Sequence, residues 1–471
     1  MRSFEYWLAP SRSDWITNDN LGHGPAASCR SSPNERDVMS VDDLQDPARS
    51  EGKSRKAAFA AFSGAFIEWY DFYLYGIASA LVFPQLFFAD ADASVSLMAS
   101  FGAFAAGFIA RPIGALLFGH FGDRHGRKTM LIITVLIMGV CTLLMGLVPT
   151  YESIGWWAPA ALITLRIVQG LGIGGEFGGG ALVALENAPS RKRGLMGSFH
   201  QLGTPMGLLV STGVFSLVQL LPESSFLAWG WRIPFLLSGV FLVFALFLRS
   251  SLPETEVFRK RKTQEPARHI PLMSLLREQP GYLLLGLGAR MADAVTFNVI
   301  NVFGIAYATS TLGLSQQMML TGFVMSAAVQ VFLTPLIGMF SDRVGRRPVY
   351  MAGIVVCAIG GLAYFPLLST GEAWVVWPTI IVVQAVGTGL MFTIQGTFFA
   401  EMFSTRVRYT SLGMIYQGSA LLGGAPTPLI AAALASAFAG SYWGPALYLF
   451  AMTLVSLACV IAITETYRSE L

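Results

Sequence analysis

Long apolar segments follow one another along most of this chain, and short polar loops separate them. Each segment is long enough to cross a hydrocarbon core of about 30 Å as a helix. A helix is the expected form because backbone polar groups in lipid must find their partners within the segment. We predict twelve spans, at about 58–86, 95–118, 129–149, 157–186, 195–221, 230–250, 281–310, 317–339, 348–368, 373–400, 409–438 and 442–463. The pattern therefore predicts an all-α membrane protein.

A polar stretch at residues 1–56 precedes the first span and contains no long apolar run. Its richness in Ser, Asp, Asn and Arg predicts a disordered tail. Met39 offers an alternative start, and residues 1–38 would then not belong to the native protein. We divide the rest of the chain into a six-helix half at 57–251, a basic linker at 252–279, a second six-helix half at 280–464 and a tail at 465–471.

The composition agrees with a membrane location. Hydrophobic residues make up 54% of the chain and charged residues 13%, with a mean hydropathy of +0.57. Soluble proteins contain about 25% charged residues, so this chain has too few charges to coat several soluble domains. Its 31 basic and 28 acidic residues nearly balance, and its four cysteines follow neither disulfide nor metal spacing. We expect no cofactor, no metal and no nucleic-acid partner.

Basic residues concentrate in the loops on one side of the predicted membrane, whereas the loops on the other side contain mainly Asp and Glu. We call the first the basic side. The positive-inside rule places it, with both chain termini, in the cytoplasm. The basic residues of these loops are Arg124, Arg127, Lys128, Arg191, Lys192, Arg193, Arg259–Lys262, Arg343, Arg346, Arg347, Arg406 and Arg408.

An internal repeat divides the chain into two similar halves. GHFGDRHGRK at 119–128 recurs as GMFSDRVGRR at 338–347, each between the second and third span of a half. An acid and an arginine recur at the basic end of the fourth span, as Glu186 with Arg193 and as Glu401 with Arg408. Two pseudo-symmetric halves in parallel orientation predict a binding site between them near mid-membrane.

These loops resemble the signature motif of the major facilitator superfamily. EWYDFYLYG (68–76), RPIGALLFGHFGDRHGRK (111–128) and RIVQGLGIGGEFGGGALVALE (166–186) resemble its metabolite:H⁺ symporter family, which includes carriers of shikimate, α-ketoglutarate, citrate and proline or betaine. The resemblance implies a monomeric transporter, not an enzyme, of the bacterial inner membrane. It would import a small organic acid or zwitterion with protons by alternating access. One alternative is a proton antiporter that exports a small molecule or drug. An alternative from a different functional class is a transporter-like receptor or sensor.

Ionisable side chains inside a span are costly and need a partner or a function. Glu68 and Asp71 share one face of span 1, and two acids this close disfavour joint ionisation, so one binds a proton readily. Resemblance to the proton-coupled sugar carriers of the superfamily implies that Asp71 pairs with Arg166 of span 4, with Glu68 as the second candidate for proton coupling. A static buried ion pair is the alternative.

Span 7 contains Arg290 and Asp293, three residues apart. They form either a local ion pair or a site in which Arg290 binds a substrate carboxylate with two hydrogen bonds. Polar residues near mid-membrane would line the same cavity. The predicted substrate-binding residues are Arg166, Arg290, Asp293, Tyr70, Gln169, Asn298 and Gln384.

The resemblance also implies that the repeated loop motifs form a gate that closes the cytoplasmic side in the outward-open state. Retention of positive charge in the cytoplasm is the alternative, and it accounts for the arginines but not for the repeated acids. The gate residues would be Asp123, Arg124, Arg127, Glu186, Arg193 and Glu254 in the first half, with Asp342, Arg343, Arg346, Glu401, Arg408 and Glu465 in the second.

Two further patterns concern glycine and histidine. Gly170, Gly174 and Gly178 lie four residues apart in span 4, which predicts close approach of another helix rather than a dinucleotide site, because no strand precedes them. The five histidines fall in the tail, in loops or near span ends. We therefore do not predict a histidine proton relay.

Overall fold

A computed structural model describes residues 47–88, 93–251 and 271–467. Within these ranges the chain is helical and contains no β-strand. Eleven helices are long and apolar enough to cross a membrane. The helix Pro47–Leu81 completes the set of twelve. It is less apolar because its first turns are polar and because it carries Glu68 and Asp71 within the span. The predicted all-α fold with twelve spans in two halves is therefore confirmed.

We number the spanning helices in chain order. The first half contains α1 (Pro47–Leu81), α2 (Ala93–His125), α3 (Arg127–Leu147), α4 (Trp157–Glu186), α5 (Arg193–Val218) and α6 (Arg232–Ser250). The second half contains α7 (Pro280–Ser310), α8 (Gln316–Val344), α9 (Arg346–Leu368), α10 (Ala373–Glu401), α11 (Arg408–Ala437) and α12 (Trp443–Ala462).

Helix α1 begins at Pro47, inside the stretch for which the sequence predicts a tail. Its first turns are held by ion pairs, because Glu51 contacts Arg55 at 3.9 Å and also pairs with Lys192 of the loop between α4 and α5. Polar residues thus continue the helix beyond the apolar segment. The alternative start at Met39, the acid Glu254 and most of the predicted linker lie outside the described residues.

One buried ion pair joins four helices of the first half. Arg249 of α6 pairs with Glu176 of α4 and donates hydrogen bonds to backbone carbonyls of α3 (Leu131, 2.6 Å) and α1 (Ala60, 3.4 Å). Thr134 of α3 donates to the same glutamate at 3.0 Å. The two charged side chains are only 3% and 0% exposed. The pair therefore satisfies in the interior two charges that lipid would not solvate.

The glycines of α4 bring neighbouring helices into backbone contact, as predicted. A Cβ on Gly174 would lie 2.6 Å from the backbone nitrogen of Ala115 in α2, and one on Gly170 would lie 3.0 Å from the Cβ of Ala110. Gly178 faces α11 instead, where a Cβ would lie 3.0 Å from the backbone oxygen of Tyr409. The prediction of close helix approach is confirmed.

Three helices of the second half contain a π-helical segment. These segments are Val299–Phe303 in α7, Val382–Thr388 in α10 and Ala420–Gly424 in α11. A π-helical turn interrupts the regular hydrogen-bond ladder and is frequent at functional sites. Two predicted cavity residues, Asn298 and Gln384, lie at or within these segments.

We expect Gly174→Ala to destabilise the protein, because its methyl group would meet backbone atoms of α2 that cannot turn aside. Overpacking of this kind costs about 1–3 kcal/mol, which thermal unfolding in detergent would register as a lower midpoint. Gly213→Ala is the matched control, since a Cβ on this α5 glycine would meet nothing within 4 Å. Equal midpoints for the two variants would contradict the prediction.

Candidate functional site

Asp71 belongs to a buried hydrogen-bonded network within the first half. Thr142 of α3 donates to Oδ2 of Asp71 at 2.6 Å, and Nε2 of Gln169 in α4 lies 3.3 Å from the same oxygen. Arg166 donates to Oε1 of Gln169 at 2.6 Å. The structure thus brings together Asp71, Gln169 and Arg166, but the glutamine joins the acid to the arginine, and the two do not form a direct ion pair. Thr142 was not predicted from the sequence.

The guanidinium of Arg166 is enclosed by aromatic rings. It lies 4.3 Å from the ring centre of Tyr75 and 4.9 Å from that of Phe104. Its side chain has no exposed surface, and Nε and Nη2 have no hydrogen-bond partner. Cation–π contacts compensate part of the cost of burying this charge. Arg166 is therefore enclosed within the first half in this structure.

Glu68 and Arg111 form a second charged group of the first half. Both are buried, at 3% and 8% exposure, and Arg111 is the strongest electrostatic partner of Glu68. Oε2 of Glu68 and Nε of Arg111 have no hydrogen-bond partner among the described residues. The arginine lies against Phe108, 4.2 Å from the ring centre. The two side chains form no direct ion pair, and each retains unused hydrogen-bonding capacity.

Arg111 was not among the residues predicted from the sequence, although it is the first residue of the motif at 111–128. The predicted span ended at 118, which put Arg111 close to the membrane surface. Helix α2 continues to His125, so Arg111 lies about 21 Å inside the helix at a rise of about 1.5 Å per residue. The sequence did not reveal that the helix continues beyond its apolar segment, and the depth of Arg111 was therefore underestimated.

Tyr416 of α11 lies at the junction between the halves. Its ring stacks on Phe177 of α4, with centroids 3.7 Å apart and an interplanar angle of 13°. The guanidinium of Arg290 lies 3.9 Å from the same ring. Glu68 and Arg111 also act electrostatically on Tyr416. Tyr416 therefore contacts a charged group of its own half and is acted on by the charged groups of the other. No feature of the sequence distinguishes it from a packing aromatic.

Arg290 is held by three helices of the second half. It approaches Asp293 at 3.5 Å, so the local ion pair within α7 is present. It also donates to Oε1 of Gln395 at 3.1 Å, to Oγ of Ser419 at 2.6 Å and to the backbone oxygen of Tyr416 at 3.0 Å. A guanidinium has five N–H donors, and most of those of Arg290 are directed at protein oxygens.

The remaining predicted cavity residues lie in two separate regions of the protein. Asn298 donates to the carbonyl of Ala294 at 2.9 Å, and Gln384 accepts from Asn301 at 3.2 Å, so these partly exposed amides lie around the π-helical segments. Tyr70 lies apart from them, because its buried hydroxyl donates to the carbonyl of Pro234 in α6 at 2.8 Å. Within the described ranges, no group of three or more His, Cys, Asp or Glu is arranged to hold a metal ion.

Comparison with known proteins identifies the family. The family models described as "Sugar (and other) transporter" and "Major Facilitator Superfamily" match residues 56–280 and 285–470. The shikimate transporter of Escherichia coli K12 is 38% identical over 427 residues, which cover 89% of this chain and 97% of that protein. The chain belongs to the major facilitator superfamily. Similarity to such relatives places it in the metabolite:H⁺ symporter family, as its motifs predicted, and makes it a multi-pass membrane transporter rather than an enzyme.

Two further comparisons agree with this family assignment. The proline/betaine transporter of Escherichia coli K12 is 32% identical over 449 residues, covering 93% of this chain and 87% of that protein. The solved structure of the proton:xylose symporter XylE bound to 6-bromo-6-deoxy-D-glucose matches with a TM-score of 0.70 at 17% identity. It covers 89% of this chain and 98% of that one. At this identity the structural match shows the major facilitator fold.

One contact among the predicted gate residues joins an acid to a helix terminus. Asp342, at the end of α8, accepts hydrogen bonds from the backbone nitrogens of Gly194 at 2.7 Å and Leu195 at 2.9 Å. These residues form the first turn of α5 in the other half, where unpaired N–H groups and the helix dipole favour an anion. Arg346 donates to the same carboxylate at 2.9 Å. The repeated Asp of the second half thus binds the first half directly.

Other predicted gate residues surround this contact. Arg346 approaches Glu401 at 3.5 Å, and Arg408 approaches Glu186 of the first half at 3.7 Å. Glu465 accepts from the backbone nitrogens of Arg346 and Arg347, at 2.9 and 3.0 Å. Arg193 acts electrostatically on Glu401, and Arg343 is exposed. The side chains of Asp123, Arg124 and Arg127, like Glu254, lie outside the described residues.

We expect Asp342→Ala to open the gate, because it removes two hydrogen bonds to a charged acceptor, each worth about 1.5–3 kcal/mol. The population with the basic side closed should fall at least about tenfold relative to the open one. The two populations would be measured as distances between spin labels on Ser190→Cys and Ser404→Cys, both exposed on the basic side. The labelled protein would lack the native cysteines Cys29, Cys141, Cys357 and Cys459. Glu223→Ala, in the loop between α5 and α6, is the control and should leave the distances unchanged; equal distances in both variants would contradict the prediction.

Proposed function

We propose that this transporter imports a small organic acid or zwitterion together with protons. The observation that carries the proposal is the burial of Glu68 and Arg111, which act electrostatically on each other and on Tyr416 at the junction of the halves. A carboxyl that can take up a proton is thus coupled to a guanidinium that can bind a carboxylate. Relatives named as shikimate and proline/betaine transporters support an anionic or zwitterionic substrate.

The two groups couple proton and substrate in a simple way. When Glu68 is ionised, it is the counter-ion of Arg111, and an incoming carboxylate competes with it. When Glu68 is protonated, Arg111 carries an unbalanced charge in a low-dielectric site, which strengthens its attraction for a substrate anion. Binding of the proton and binding of the anion therefore favour one another, as linkage requires.

This proposal reverses the order of Asp71 and Glu68 as candidates for the proton carrier. The sequence favours Asp71 as the proton carrier. Its Oδ2 already accepts a hydrogen bond from Thr142, and Arg166 is joined to it only through Gln169. Glu68 has the guanidinium at the junction as its main partner. We therefore propose Glu68 as the carrier of the coupled proton and Asp71 with Arg166 as the group that fixes the charge of the site.

We propose that the basic side of the transporter faces the cytoplasm. The distribution of basic residues supports a cytoplasmic location for the basic side and for both termini. In this orientation the predicted gate contacts lie on the cytoplasmic side, and breaking them would open the site to the cytoplasm. A relative named as an inner membrane metabolite transport protein supports the same membrane for this chain.

Reconstitution in liposomes tests the function. An inward proton gradient would be imposed, and labelled shikimate, dicarboxylates, citrate, proline and betaine would be offered in turn. We expect accumulation of at least one acid or zwitterion, abolished by a protonophore. Gradient-driven movement of drugs without accumulation of any acid or zwitterion would favour the proton antiporter instead.

Glu68→Gln should abolish gradient-driven accumulation and retain exchange of labelled for unlabelled substrate, because the amide mimics the protonated acid but cannot release a proton. Asp71→Asn should retain part of the accumulation. Both rates would be measured in the same vesicles. Glu152→Gln, an exposed acid on the opposite side, is the control. The reverse order, with Asp71→Asn uncoupled and Glu68→Gln fully active, would assign the proton to Asp71.

Arg111→Gln should raise the half-saturating substrate concentration at least about 30-fold, equivalent to about 2 kcal/mol of lost anion binding. Arg290→Gln should change it much less, because the donors of Arg290 already bind protein oxygens. Its main effect should be a lower thermal unfolding midpoint, since Asp293 loses its partner. A larger change in half-saturation for Arg290→Gln than for Arg111→Gln would make Arg290 the substrate anchor.

A further inference from the structure

His200 is buried in the first half with its polar atoms unused. It lies on α5 with 1% of its side chain exposed, and neither ring nitrogen has a partner in hydrogen-bonding geometry. Its ring meets Phe177 edge to face, with centroids 5.4 Å apart. Leaving a buried donor or acceptor unpaired costs about 1–3 kcal/mol. Packing alone would favour an apolar residue here, so the imidazole calls for another explanation.

The ring nitrogen of His200 faces the buried ion pair. A Cβ on Gly180 would lie 2.6 Å from Nε2 of His200 and 3.3 Å from Oε1 of Glu176, so these two atoms lie within about 6 Å of one another. The glycine leaves open the space between them. Glu176 on α4 and Arg249 on α6 are the charged groups that act on His200, and the neutral side chain of Gln201 also interacts with the ring.

The same carboxylate also approaches α1 next to Glu68. A side chain on Gly64 would overlap the Glu176 carboxylate and the Arg249 guanidinium. Gly64 and Glu68 are four residues apart and therefore lie on one face of the helix in successive turns. Glu176 thus contacts the face of α1 that carries Glu68, and it acts electrostatically on both Glu68 and His200. His200 is about 10 Å inside the basic end of α5, which begins at Arg193.

We infer that His200 receives the coupled proton and releases it on the basic side, an inference that rests on the proposed function. The carboxylic acid of Glu68 loses the proton and becomes the counter-ion of Arg111. Oε1 of Glu176 accepts the proton and passes it to the unprotonated ring nitrogen of His200, so that Glu176 is again ionised and balances the imidazolium. When the gate opens, water takes the proton from the ring as hydronium and the neutral imidazole is restored.

The experiment compares net transport with exchange. Wild type, His200→Gln and the control His120→Gln would be reconstituted in liposomes that contain pyranine, a pH-sensitive dye. The substrate would be the labelled acid or zwitterion from the panel above that the wild type accumulates. We expect His200→Gln to slow accumulation and proton entry at least about tenfold, while exchange at equal pH stays within about twofold. Deuterated water should slow net uptake by His200→Gln more than by wild type, and should leave exchange unaffected.

The outcomes separate the two proposals. If the wild type moves no protons with substrate, the proposed function fails and this inference fails with it. If the wild type is coupled and His200→Gln is coupled equally well, only the role of His200 is overturned. Equal loss of exchange and accumulation in folded His200→Gln would assign the histidine a structural role. His200→Phe, which fills the space against Phe177 without a titratable group, should reproduce the uncoupled behaviour even if the glutamine variant is unstable.

Discussion

The ion pair between Glu176 and Arg249 is the interaction around which the first half is assembled. A charge in the low-dielectric interior is tolerated only with a partner, and removal of one partner typically costs about 3–5 kcal/mol. Here the pair also binds backbone carbonyls of α1 and α3, so four helices share one polar contact. The positions of Glu68 on α1 and of Arg111 on α2, which packs on α4, follow from this arrangement. The charged residues at the junction are therefore positioned by this shared polar contact.

The contacts between the halves are of a different kind. They include the stacking of Tyr416 on Phe177, hydrogen bonds from the first turn of α5 to Asp342, and the approach of Arg408 to Glu186 at 3.7 Å. Each can be replaced by contacts with water when the halves separate. Alternating access requires contacts between the halves that can break in this way, because each half must move as a unit.

The sequence predicted those features that follow from local pattern. Long apolar runs defined the spans, and the repeated loop motif identified the two halves and several gate residues, among them Asp342. It did not reveal Arg249, which lies at the end of an apolar run and looks like a surface charge until Glu176 is placed beside it. Thr142 and Tyr416 were missed for a related reason. Their importance comes from neighbours on other helices, and the spacing of residues along one chain does not contain that information.

The position of Arg249 also bears on how the chain is made. Glu176 and Arg249 are 73 residues apart, and a chain synthesised from its N-terminus delivers α4 to the membrane well before the last turn of α6. During that interval the carboxylate has no counter-ion, so α4 must stay near water or the translocation machinery, or take up a proton. Completion of α6 then supplies the missing charge. The ion pair can therefore form once α6 has entered the membrane, without any residue of the second half.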